Sequence, residues 1–135
     1  MRALWQPSTL APQDAEAVVI TAMRAAYVTA GEAVVVARKV PKSGAGTTGN
    51  LVVFTRDGGV FDGLVDRVRM RCRCFADIDD DVADLAALTI RLVASLVGPV
   101  ATRVEHLSGP LDVTDESERP QRYLLFEIHL RGVKP

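Results

Sequence analysis

The sequence predicts an α+β fold. It reads as a single domain with a mostly antiparallel sheet of about five strands and two helices packed on one face, in the order α-β-β-β-α-β-β. Three observations predict it. Residues 65–98 switch hydrophobic period once, from two to about 3.6, marking a strand followed by a helix. Four further segments carry the β-branched or alternating pattern of strands. Most of the connections between them are short and turn-like, which favours antiparallel neighbours.

Residues 1–13 hold two prolines and no period and read as a loose N-terminal arm, with Trp5, the only tryptophan, expected to dock on the body or on a neighbour. The domain proper is expected over residues 14–132. A first helix is predicted over 14–30. Asp14 is its N-cap, Val18/Val19, Ala22/Met23 and Ala26/Tyr27 its apolar stripe, and Gly31 its stop. Residues 33–40, AVVVARKV, read as the first strand. The segment 41–50, PKSGAGTTGN, reads as a long mobile loop. Its glycines are not a phosphate loop, because the closing Lys-Ser/Thr and the strand-to-helix setting are missing.

Residues 51–56 form the second strand, and Asp57-Gly58-Gly59 is a turn signal that sends the chain back through Val60 and Phe61. Gly63 then marks a bulge or a short break. In the next strand Val68, Met70, Cys72 and Cys74 share one face and Arg67, Arg69, Arg71 and Arg73 the other. The helix after it, about nineteen residues long, has a stripe of Val82, Leu85, Leu88 or Thr89, Leu92, Val93 and Leu96. Asp77 and Asp79 to Asp81 suit its N-terminus and Gly98-Pro99 its stop. Residues 101–108 read as a strand, 109–122 as a second long, polar loop, and 123–131 as the last strand. That strand has Leu124, Phe126, Ile128 and Leu130 on the core face and Tyr123, Leu125, Glu127, His129 and Arg131 on the other.

With 135 residues the chain suits one core, and its net charge of −1 carries no global signal for nucleic acid or membrane. No apolar stretch has the length of a membrane span or signal peptide, so a soluble protein made in the cytoplasm is expected. Cys72 and Cys74 are expected to be reduced and buried. Strand neighbours two apart have parallel Cβ vectors, and His129 falls on the opposite face, so no metal site is expected.

Catalytic patterns are missing as well. The chain has no HExxH, GxSxG, CxxC, Walker or Rossmann motif. Asp79, Asp80 and Asp81 lack the alternation and bidentate Glu of a calcium loop, and Asp112, Asp115, Glu116 and Glu118 read as a solvated acidic loop. Neither an enzyme nor a bound cofactor is expected.

The arginine row needs an explanation, since guanidinium groups about 7 Å apart repel by roughly 0.6 kcal/mol even in water. Cross-strand pairing with Glu127 or Glu105 would supply one. A subunit interface built on Arg67, Arg69, Arg71, Arg73, Tyr123, Glu127 and Arg131 would supply another. A nucleic-acid track is the third reading, and the near-neutral net charge argues against it.

The closing segment runs His106-Leu107-Ser108-Gly109-Pro110, then a polar loop with Asp and Pro, then Arg122-Tyr123 opening the last strand, then Arg131-Gly132. With the opening helix PQDAEAVVITAMRAA and the arginine strand plus acid-capped helix, this layout resembles the tail terminator proteins of long-tailed bacteriophages. The likeness covers most of residues 12–132, and the Ala/Val/Arg-rich composition is similar to versions from phages of GC-rich hosts such as actinobacteria. Two parts depart from the pattern: VTDESERPQ is more charged than the family form, and the 41–50 loop matches no family feature. The resemblance implies a structural virion protein at the tail–head junction, assembled in the host cytoplasm. It would form a ring, typically a hexamer, that caps the tail tube, ends its polymerisation and joins it to the head connector or head-closure protein. DNA would pass through the lumen without sequence-specific binding. Another head–tail joining or neck protein is the nearest alternative, and a nucleic-acid-binding module a more distant one.

Overall fold

The structure, a computed structural model, describes residues 10–113 and 119–135. Trp5 with most of the N-terminal arm, and the loop acids Asp115, Glu116 and Glu118, lie outside the described residues. The elements follow the predicted order: α1 (Ala15–Thr29), β1 (Val35–Ala37), β2 (Leu51–Phe61), β3 (Val65–Phe75), α2 (Asp79–Ala94), β4 (Arg103–Asp112) and β5 (Gln121–Arg131). They build one sheet in the order β1-β2-β3-β5-β4. β1 pairs parallel with β2, and the other neighbours are antiparallel. Because β5 is antiparallel to both, β3 and β4 run the same way, and α2 is the crossover between them.

Both helices cover one sheet face. The period-two pattern of β3 and β5 puts Val68, Met70, Cys72, Cys74, Leu124, Phe126, Ile128 and Leu130 there, all buried with Val52 and Phe54 of β2. Val19, Ile20, Met23 and Tyr27 of α1 and Val82, Leu85, Ala86 and Val93 of α2 complete this core. Full burial of each large apolar side chain contributes about 1.5–3 kcal/mol. A polar link crosses it: Tyr27 donates to Thr89 Oγ1 at 2.5 Å while Thr89 donates to Leu85 O at 2.8 Å, joining the helices. Cys72 and Cys74 are free thiols with sulfurs 4.0 Å apart, fully buried, and burial pushes the Cys72 thiol well above its ordinary pKa.

Helix ends follow local chemistry. Asp14 Oδ1 accepts from Ala17 N at 3.2 Å; this bond first, and Arg38 second, hold its carboxyl below the usual range. Gly31, at φ +77°, takes the left-handed step after α1. In α2 the N-cap is Ile78, which offers no side-chain bond, and Asp77, one of the acids expected at the helix N-terminus, instead accepts from Gly49 N of the 41–50 loop. The helix is sixteen residues rather than nineteen. It stops at Ser95, whose hydroxyl donates to Leu92 O at 2.5 Å, ahead of Gly98-Pro99.

Four other expectations are corrected. β1 has three residues instead of eight, because Arg38 leaves the sheet to reach Asp14 at 3.0 Å and Glu16 at 3.7 Å. Its pairing is parallel because residues 38–50 carry the chain back over the sheet's outer face, a crossover of about the minimum length for parallel strands. Asp57-Gly58-Gly59 is a bulge inside β2, not a turn: the register jumps between Arg56↔Met70 and Gly59↔Val68. The true turn is at Asp62–Leu64, where Asp62 Oδ1 accepts from Leu64 N and Val65 N at 2.9 Å each. β4 likewise continues through Gly109-Pro110, a cis peptide, to Asp112, with register shifts absorbing the extra residues. The second long loop therefore starts at 113. The arm's last residues are tied down, since Ala11 bridges Val133 and Gln13 Nε2 donates to Arg131 O at 2.8 Å.

Candidate functional site

The face of the sheet opposite the helices collects every residue singled out for an interface. Register pairs them in rows: Arg67 beside His129 and then Arg103, Arg69 beside Glu127 and then Glu105, Arg71 beside Leu125, and Arg73 beside Tyr123 and then Leu111. Arg131 closes the row at the far end, opposite Val65. Arg67, Arg69 and Arg131 are exposed; Arg71, Arg73, Tyr123 and Leu125 are half-buried, because neighbouring side chains on adjacent strands shade one another.

The acids expected to neutralise the row do not do so. Glu127 lies 3.3 Å from His129 Nε2, and Glu105 lies 3.8 Å from Arg103. Arg67 reaches Asp62 at 3.4 Å, and the turn amides of Val65 and then Leu64 hold that carboxyl below its usual range. Arg69 and Arg71 have no ion-pair partner among the described residues, and the buried Nε of Arg71 makes no hydrogen bond. On the β2 side Arg69 faces the bulge, so no cross-strand side chain stands directly opposite it there.

At the other end of the ladder the face turns apolar. Leu51, Val53 and Phe75 form a second small cluster with Val35 and Ala37. Two guanidinium groups approach the Phe75 ring, Arg73 at 6.0 Å and Arg119 at 5.9 Å from its centre. Arg119 also donates to Gly46 O at 2.8 Å and to Gly49 O, and sits 3.6 Å from Asp77. Asp77 in turn accepts from Gly49 N at 3.0 Å. The 41–50 loop is thus pinned on the sheet rather than free, and Arg119 meets it beside Phe75.

Where β1 peels away, a groove of about 440 Å³ opens between the loop and the ladder, lined by Glu16, Arg38, Lys39, Thr55, Arg71 and Arg73. Arg38, Lys39 and Arg119 were not among the residues predicted for the face. The adjacent Arg38-Lys39 after an apolar strand was the one readable hint; Arg119 bonds backbone carbonyls some seventy positions away and left none. On the opposite side of the sheet a second cavity of about 370 Å³ is lined by Glu32, Asn50, Asp81, Asp84 and Arg91.

Chemically, the outer face offers charge and apolar contact. Among the described residues no group of His, Cys, Asp and Glu is placed to hold a metal ion. The imidazole of His129 contacts Glu127, and that of His106 lies 3.0 Å from Ser108 O; no hydroxyl or thiol side chain is bonded to either ring among the described residues. Among the described residues no helix is long and apolar enough to cross a membrane. No protein-family model matches the chain, and no curated protein matches it significantly.

Proposed function

We propose that this chain is a structural virion subunit, a tail terminator of a long-tailed phage. It would assemble into a ring, a hexamer as the resemblance implies, cap the tail tube and dock the head connector. The observation that carries the reading is the outer sheet face, where Arg69 and Arg71 have no acidic partner among the described residues and stand next to half-buried Tyr123 and Leu125. Such a surface is costly for a monomer in isolation and useful at a contact between copies. The closing pattern from Gly109-Pro110 to Arg131-Gly132 supports the assignment to the terminator group. The 41–50 loop, held by Arg119, gives a preformed surface at one end of the sheet for a further virion component.

The test is tube capping. Tail tube protein polymerised with this chain should give tubes of arrested length with one decorated end. Tubes that lengthen as they do without it, with no end density, would overturn the assignment.

A further inference from the structure

We infer that the ring contact joins two different charged patches: the acidic first turns of α2 on one copy seat in the basic groove of the next. The inference rests on the ring reading above and names the surfaces that would make the ring. Ion pairs within the chain leave a charge imbalance between the two sides of the sheet. On the ladder side Lys39, Arg69 and Arg71 have no acidic partner among the described residues; Asp57, at the bulge, is not within ion-pair distance of Arg69. On the helix side Glu32, Asp80, Asp81 and Asp84 are all exposed and equally without a cationic partner. The cavity there holds one cation, Arg91, against Glu32, Asp81 and Asp84.

A copy cannot satisfy these groups itself, because the sheet lies between them. A second copy can. Apolar groups stand at the same places: Ile78, directly before the acidic turn, is 55% exposed, and Val40, in the basic groove, is 43% exposed. A desolvated apolar contact framed by charge of opposite sign is the usual anatomy of a specific interface. Because the patches differ and sit on opposite sides of the subunit, the contact is head-to-tail, the kind that generates rings when its rotation closes.

The experiment uses the full-length chain and two charge-reversed variants. One carries Arg69→Glu with Arg71→Glu; the other carries Asp81→Lys with Asp84→Lys. Each alone should raise the concentration needed for assembly by at least about tenfold, through like-charge repulsion. An equimolar mixture should restore rings, since every contact then pairs opposite charges again. Lys39→Glu with Arg69→Glu, two exposed positions, repeats the basic arm without touching half-buried Arg71. Thermal melting checks that each variant unfolds cooperatively. If wild type forms rings and the variants do too, the patch assignment fails while the ring reading stands. If both variants are disrupted and the mixture stays so, the patches do not face each other. A wild type that stays monomeric removes the ring reading and the pairing together. DNA binding by the wild type that Arg69→Glu with Arg71→Glu abolishes, without any ring, would overturn it in favour of a phosphate ligand.

Discussion

Replacing Asp66 by asparagine should destabilise the fold by about 2–3 kcal/mol. Asp66 is wholly buried on the helix side of β3, and its two oxygens accept from Arg56 Nη1 and Nη2 at 2.7 Å each. Removing one member of a fully buried pair costs about 3–5 kcal/mol, because the other is left charged and dry. Arginine cannot relieve that by losing its proton. The Arg56 side chain is 32% exposed, however, so water recovers part of the loss. The pair sits under the β2 bulge, and Glu16 of α1 accepts from Arg56 N at 2.9 Å, so the change loosens the joint that aims Arg67 and Arg69. In a domain of this size the loss should lower Tm by about 6–12 °C. Urea unfolding followed by far-UV circular dichroism, at several protein concentrations to separate assembly from folding, measures it. Arg56→Met with Asp66→Leu should recover most of the loss, as apolar replacements of buried pairs do. A loss under about 0.5 kcal/mol for Asp66→Asn, the range of ordinary surface changes, would refute the reasoning. So would a double variant no better than the single one.

Gly59→Ala should cost about 2–4 kcal/mol, since a Cβ there would lie 1.9 Å from Arg67 O at φ +104°; Gly58→Ala, with strained φ but open space, should cost about 1 kcal/mol. Equal melting shifts for the two would contradict the bulge. Arg119→Ala should remove about 1.5–3 kcal/mol and speed amide exchange in residues 46–49, with unchanged exchange as the contrary result. Stability should also fall above about pH 8.5, by up to about 1.4 kcal/mol per pH unit, because the unfolded chain releases the Cys72 proton and the folded chain keeps it. The contribution is complete below the unfolded pKa and lost as pH rises. Tyr27, also pushed up by burial, adds the same sign only above about pH 10. Denaturation at pH 7.5 and 9.5 measures this, and Cys72→Ala should flatten the slope.

The elements that were legible are those whose pattern is local. The β3 alternation carried its own label, arginine against Val, Met and Cys, and α2 declared itself by the change of period at Asp79. The points where the structure departs from the sequence pattern share one cause: a local signal with two structural meanings. Glycines with positive φ serve a hairpin turn and a bulge alike, so Asp57-Gly58-Gly59 read as the turn that Asp62 in fact makes. Gly109-Pro110 read as a strand end because a ladder ordinarily excludes proline, yet β4 is an edge strand and absorbs it with register shifts. β1 was overextended because Arg38 and Lys39 continue an apolar run, while what ends the strand is Asp14, on another element. The candidate face was legible as a row, since parity alone puts Arg67 to Arg73 together. Its neutralisation was not. Glu127 stands directly beside Arg69 in register but engages His129, a choice between near neighbours that spacing does not decide.

The account turns on the outer sheet face being a contact between copies. Electron microscopy of the purified chain at high concentration, beside native mass measurement, tests that most directly. The account predicts closed rings of one size, lost in Arg69→Glu with Arg71→Glu while that variant still melts cooperatively. A strict monomer at every concentration, or rings indifferent to the double substitution, would contradict it.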